Sequence, residues 1–173
     1  MKDLRVPELM QAGMFVDDRG VMQFINEFPE DFNLKRIYTV ENFNTGYVRA
    51  WHGHLKESKM VFVTKGSAKI VLFRIDTLYT SLYNIKKDDW TDTDEFNAQT
   101  LDVVINRSAT PYILSDKNPK LLYIPKHYAN GIVSLEPDTK IIVFSNVTLE
   151  EAKTDDYRIP ASIGRDVFNT EER

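Results

Sequence analysis

The feature that most constrains this chain is a succession of short segments rich in Val, Ile, Phe and Tyr, each bounded by polar or turn residues. The predicted strands are Val21–Asn26, Arg36–Phe43, Tyr47–His54, Met60–Thr64, Ala68–Ile75, Leu101–Asn106, Pro111–Ser115, Leu121–Ile124, Gly131–Leu135 and Lys140–Val147. Strands at this spacing belong to a sandwich or barrel, so the chain reads as all-β. At Lys65-Gly66, between two apolar runs, glycine supplies the positive φ of a tight turn, and a β-hairpin is expected there. The charged stretch Lys86–Asn97 (KKDDWTDTDEFN) reads as a solvated loop; it lacks the turn glycine and closing glutamate of a calcium loop. After Thr148 the chain turns polar, with a short helix predicted over Leu149–Lys153. A length of 173 residues without internal repeats suits one domain, with a core over about 15–148 and a C-terminal arm over about 149–173.

Composition removes several chemistries. There is no cysteine, so disulfides, thiolate nucleophiles and zinc-thiolate sites are excluded. With 22 Lys+Arg against 26 Asp+Glu and no basic run, binding to a nucleic-acid backbone is disfavoured. One diphosphate in a pocket needs only a few cations and remains compatible with that charge. No apolar run approaches the roughly 20 residues of a membrane helix, and Met1 to Gln11 lacks the apolar core of a signal peptide. A cytoplasmic protein with no nucleic-acid and no membrane partner is expected.

The candidate chemistry centres on His52 and His54, two of only three histidines. Two apart on a strand, they share one face. The array Gly46, five residues, His52, one residue, His54, four residues, Lys59, six residues, Gly66 resembles the first cupin motif. In that motif two His and a Glu face the interior of a small β-barrel and hold a metal. Lys59 stands at the Glu position. Pro125-Lys126-His127-Tyr128-Ala129-Asn130 resembles the second motif, with His127 where glycine is usual and Asn130 where a metal-binding His is usual. The resemblance implies a cupin, a double-stranded β-helix or jelly-roll barrel. An ammonium among the ligand positions repels a divalent cation, so neither a metal nor another cofactor is expected. A histidine base near neutrality, beside a lysine that stabilises an enolate oxygen, has the parts for removing a proton next to a ketone. Two other readings of the pair stay open: an ordinary metal cupin, and strand histidines with satisfied hydrogen bonds.

Between Phe15 and Pro160 the chain resembles two related sugar-nucleotide cupin families. Asp18-Arg19-Gly20, Val48-Arg49-Ala50-Trp51-His52, Leu122-Tyr123-Ile124-Pro125, Ala129-Asn130-Gly131-Ile132 and Asp155-Asp156-Tyr157-Arg158-Ile159-Pro160 are similar to the dTDP-4-dehydrorhamnose 3,5-epimerases. Lys35-Arg36-Ile37-Tyr38 and Arg49-Ala50-Trp51-His52-Gly53-His54 are similar to the dTDP-sugar 3,4-ketoisomerases. The first likeness implies epimerisation at carbon 3 and/or 5 of a nucleoside-diphosphate 4-keto sugar. His52 would be the base, Lys59 would hold the enolate, and Arg19 and Arg49 would contact the diphosphate. The Tyr acid of that family falls at Val143 or Phe144, neither of which donates a proton. Its histidine-orienting carboxylate falls near Ala161 or Ser162, with only Asp155 and Asp156 nearby.

The second likeness implies that His52 and His54 both carry protons between carbons 3 and 4, with Arg36, Tyr38 and Arg49 positioning the substrate. A catalytically silent binder of a dTDP-, GDP- or CDP-linked sugar is the remaining alternative. Asn42 is expected to face the site from a neighbouring strand, and Asn130 to reach a sugar hydroxyl or serve as a turn residue. Trp51 is expected at a subunit contact or between sheets. A homodimer and a place in the biosynthesis of polysaccharide, such as O-antigen, are the corresponding expectations for partner and pathway.

Overall fold

The computed structural model describes residues 5–76, Thr80 and 95–170. Antiparallel pairing builds two five-stranded sheets. The first runs β1 (Glu8–Gln11), β9 (Lys120–Ile124), β6 (Lys59–Lys65), β11 (Lys140–Ser145), β4 (Arg36–Glu41). The second runs β12 (Tyr157–Arg158), β5 (Val48–His54), β10 (Tyr128–Ser134), β7 (Ser67–Arg74), β8 (Thr110–Ser115). A separate hairpin joins β2 (Gly13–Asp17) to β3 (Gly20–Phe24). Two helices, α1 (Glu95–Ser108) and α2 (Leu149–Lys153), and a 3-10 turn over Arg165–Phe168 complete the described elements.

Side-chain alternation decides what each sheet face buries. Val61, Val63, Leu122, Ile141 and Val143 of the first sheet pack against Ala68, Ile70, Leu72, Leu114 and Ile132 of the second, forming the inter-sheet core. The opposite residues of β5 and β7 face outward and still need cover. Trp51, Val71 and Phe73 obtain it from Leu101 and Ile105 of α1 and from Ile159, Ile163 and Phe168 downstream. Trp51 is fully buried there, edge-on to Phe73 at 4.9 Å, with its indole N–H donating to the Ile163 carbonyl at 2.8 Å. Its place is thus beneath helix and C-terminal chain, neither at a subunit contact nor between the sheets.

Two further expectations are corrected. The predicted strand Leu101–Asn106 lies inside α1. Its β-branched content suggested a strand, whereas the buried pair Leu101 and Ile105, one helical turn apart, follows the helical period. Lys65-Gly66 does not close a hairpin, because β6 and β7 belong to different sheets. Gly66 does take φ +75°, and a Cβ there would meet Thr139 Oγ1 at 2.5 Å; the turn is a corner between layers. Residues 86–94 of the predicted solvated loop lie outside the described residues, and 95–97 begin α1. The short helix over Leu149–Lys153 forms as expected, with a capping box in which Thr148 Oγ1 accepts from Glu151 N–H and Glu151 accepts from Thr148 N–H. No helix among the described residues is long and apolar enough to cross a membrane.

The cover over Trp51 yields a prediction. Phe168 is buried and its ring lies 5.0 Å from the Trp51 ring. Phe168→Ala is expected to cost about 3–5 kcal/mol, read as a lower denaturation midpoint with an unchanged slope. A loss under about 1 kcal/mol would mean that the C-terminal chain is not part of the cooperative core.

Candidate active site

A cavity of about 400 Å³ opens between the sheets at the end where β4, β5, β12 and α2 meet. From the first sheet, β4 contributes Arg36 and Tyr38 and β6 contributes Lys59. From the second, β5 contributes Arg49, His52 and His54, β10 contributes Asn130, and β12 contributes Arg158. Strand register explains the grouping: His52 lies between Asn130 and Arg158 on its two neighbouring strands. Across the other wall, Val143 lies between Val61 and Tyr38, and Ser145 between Lys59 and Arg36.

A buried ionic cluster forms the floor. Glu57, fully enclosed, accepts from Arg36 Nη2 at 3.0 Å and from the Ser145 hydroxyl at 2.5 Å through Oε1. Its Oε2 faces His54 Nδ1 at 3.2 Å and Lys59 Nζ at 3.7 Å. His54 Nδ1 donates to the Asp155 carbonyl at 2.8 Å. Burial first, then the Lys59 charge, pushes the His54 imidazole down to about 3. Burial likewise lowers the Lys59 ammonium, while the Glu57 carboxylate opposes the shift.

His52 sits in a different environment, half-buried on the cavity wall. The Arg158 guanidinium lies against its ring nitrogens. A guanidinium only donates, so this contact suits a neutral imidazole whose unprotonated ring nitrogen accepts. Asp156 Oδ2 in turn accepts from Arg158 Nε at 2.8 Å and Nη2 at 2.5 Å. The Asp156 carboxylate therefore reaches the His52 ring through an arginine. Asp155 instead accepts the backbone N–H groups of Leu55, Lys56 and Glu57 at 3.1, 2.7 and 3.0 Å.

Seven of the sequence-derived candidates line the cavity: His52, His54, Lys59, Arg36, Tyr38, Arg49 and Asn130. Asn42 stands behind the wall, where its Oδ1 accepts from Arg49 Nε at 2.7 Å while its Nδ2 donates to the Tyr47 carbonyl at 3.0 Å. It fixes Arg49 at the mouth. Arg19 lies away from this chain's cavity, exposed at the tip of the β2–β3 hairpin and paired with Asp17. Val143 faces the cavity, so the inert residue occupies the inward position of β11.

Glu57 and Lys153 line the cavity without having been singled out by sequence reasoning, and Asp156 and Arg158, known there only as part of the C-terminal segment, join them. Glu57 sits three residues after His54, off the motif spacing, and only the turn after β5 brings it inward. His127 adopts φ 71°, which accounts for the glycine usual at that motif position. Among the described residues no group of three or more His, Asp or Glu is placed to hold a metal ion.

No protein-family model matches the chain. The spore coat polysaccharide biosynthesis protein SpsL of Bacillus subtilis (strain 168) is 29% identical over 161 residues, spanning 91% of this chain and 87% of that protein. Among solved structures, the sugar 3,4-ketoisomerase QdtA of Thermoanaerobacterium thermosaccharolyticum in complex with TDP superposes with TM-score 0.61 at 17% identity, covering 94% of this chain and 95% of that one. The dTDP-4-dehydrorhamnose 3,5-epimerase of Bacillus anthracis, with TDP and pyrophosphate bound, superposes with TM-score 0.58 at 19% identity, covering 88% and 78%.

The His54 environment predicts a pH dependence. The folded ring resists protonation while the unfolded ring titrates at its ordinary 6.5. Its contribution is complete above that value and is lost as pH falls toward 3, at up to about 1.4 kcal/mol per pH unit. Denaturation at pH 7, 6 and 5 is expected to show this loss in the unmutated protein and a shallower one in His54→Asn. Equal slopes would contradict a buried neutral His54. The topology, the inter-sheet cavity and the inward histidine strand together establish that this chain has the cupin fold shared with nucleotide-sugar 3,5-epimerases and 3,4-ketoisomerases.

Proposed function

We propose that the chain is a metal-independent enzyme that epimerises carbon 3 and/or carbon 5 of a nucleoside-diphosphate 4-keto-6-deoxy sugar through an enolate. The observation that carries this reading is the convergence of His52 and Lys59, from opposite sheets, on one cavity. His52 removes the proton next to the ketone. Lys59 meets the developing enolate oxygen, where a buried cation stabilises charge most strongly. Arg36, Tyr38 and Asn130 border the sugar, and Arg49, oriented by Asn42, meets the diphosphate with a planar fork of donors. The solved relatives are complexed with TDP, which favours a dTDP-linked substrate over GDP or CDP. The name of the Bacillus subtilis relative supports a role in making surface polysaccharide.

The 3,4-ketoisomerase reading keeps one observation in its favour, because His54 also lines the cavity. Against it, His54 is held at about 3 and its Nδ1 is engaged by the Asp155 carbonyl, which suits a positioning residue better than a proton carrier near neutrality. The silent-binder reading rests on Val143 and is distinguished by turnover.

The experiment is exchange of deuterium from heavy water into TDP-4-keto-6-deoxyglucose. His52→Asn keeps size and hydrogen bonding but removes the base, and exchange is expected to fall at least about a hundredfold. His54→Asn is expected to retain more activity than His52→Asn. Exchange surviving in both variants would refute histidine-driven proton transfer, and label passing to carbon 4 with a 3-keto product would identify the ketoisomerase. Arg49→Lys is expected to weaken binding more than turnover at saturation.

A homodimer completes the proposal. The β2–β3 hairpin leaves Met14, Phe15, Val16, Val21 and Met22 largely exposed, an apolar surface that the other described residues do not cover. A second copy covering it would also bring Arg19, remote from its own cavity, toward the partner's. Sedimentation is expected to give twice the chain mass, and Phe15→Asp with Met22→Asp to give monomers. A monomeric unmutated protein at micromolar concentration would remove this part of the account.

A further inference from the structure

A base on one wall of the cavity leaves the proton donor on the other wall unassigned. This inference rests on the functional reading above. Inversion at carbon requires a proton to leave from one face of the sugar ring and return to the opposite face, so base and acid must stand on facing walls. His52 belongs to the second sheet. The first-sheet wall presents Val61, Val143 and Tyr38 in one inward row and Lys59, Ser145 and Arg36 in the next.

Most of these groups are unsuited to donate. Val61 and Val143 carry no acidic proton. Arg36 and the Ser145 hydroxyl both donate to Glu57 and are held by it. Lys59 faces the same carboxylate and is committed to the enolate oxygen. The Tyr38 hydroxyl forms no hydrogen bond with any described residue, although its ring is half-buried at the cavity wall. The ring is held by the β4–β11 register and by the Arg36 guanidinium, 4.9 Å from its centroid. An oriented ring that lines a substrate-sized space and carries an uncommitted donor is the arrangement a proton-delivering group needs.

We propose that Tyr38 is the catalytic acid, delivering a proton to the face of the sugar opposite His52. In the first step the α C–H bond breaks toward His52; its electron pair forms the enolate double bond, and the carbonyl π pair moves onto the oxygen beside Lys59. In the second step the Tyr38 O–H bond breaks and its proton bonds to the same carbon from the other side, while the enolate collapses to the ketone. The phenolate and the imidazolium are then restored by passage of one proton from His52 to Tyr38 through solvent, so the cycle is neutral in protons. Burial first, then the Glu57 charge, raises the Tyr38 hydroxyl to about 12, which keeps it protonated between turnovers.

The test is Tyr38→Phe, which keeps the ring and its stacking on Arg36, assayed by NMR with TDP-4-keto-6-deoxyglucose in heavy water. The unmutated protein is expected to incorporate deuterium with inversion. In Tyr38→Phe, His52 is expected to continue exchanging deuterium with retention of configuration, while the inverted product forms at least about a hundredfold more slowly. Inverted product at a rate within a few-fold of the unmutated protein overturns the assignment. So does joint loss of exchange and inversion, which would make Tyr38 a binding group, and so does exchange without inversion in the unmutated protein. Absence of any exchange in the unmutated protein refutes the functional reading itself, an outcome distinct from the others.

Discussion

The site depends on a hook in the C-terminal arm. The Asp155 carboxylate collects three consecutive backbone N–H groups from the turn after β5, and its carbonyl collects the His54 ring. Backbone donors in a turn away from water must find acceptors, and a carboxylate accepting several of them makes strong charge-assisted bonds. The hook fixes the turn that swings Glu57 inward and sets the start of β6, where Lys59 stands. It also anchors the chain just before β12, whose Arg158 pairs with His52 in register. One residue thus couples both edges of the cavity.

Charge determines what the cavity accepts. Arg36, Arg49, Lys59, Lys153 and Arg158 outnumber Glu57 and Asp156 on its lining, so the space attracts an anion although the whole chain carries a formal charge of −4. The carboxylates are consumed by internal pairs, Glu57 with Arg36 and Asp156 with Arg158. Helix α2 stands over the opening, held by its capping box and by Lys35, whose ammonium lies 2.9 Å from Glu151. The backbone N–H of Thr148 first, then Lys35, holds the Glu151 carboxyl down to about 2. The element that rims the mouth is therefore pinned to the strand side by local chemistry.

Much of the fold was legible because its information is local. Alternating apolar residues over Arg36–Glu41 and the continuous apolar runs of β6 and β7 identify themselves as strands. His52 and His54 declare a shared face by spacing alone, and Lys59 follows from the motif. What was missed is set by pairing at a distance. Leu101 and Ile105 form a helix because they have Trp51 and Phe73 to cover, which a window on the β-branched residues between them does not reveal. Gly66 announces a turn, but whether the following strand joins its predecessor's sheet depends on partners β9 and β8, far along the chain. Arg158 reaches His52 across 106 residues, and the local segment that contains it does not announce that contact.

The central claim is that a 4-keto sugar nucleotide binds between the two sheets with its ring flanked by His52 and the Lys59 wall. A crystal structure of His52→Asn with TDP-4-keto-6-deoxyglucose tests it most directly. The account predicts the sugar inside the cavity, an α-carbon within about 3.5 Å of the residue 52 side chain, the keto oxygen at Lys59 Nζ, and the diphosphate at Arg49. A nucleotide sugar bound on another surface, or seated with its ketone turned away from Lys59, would contradict it.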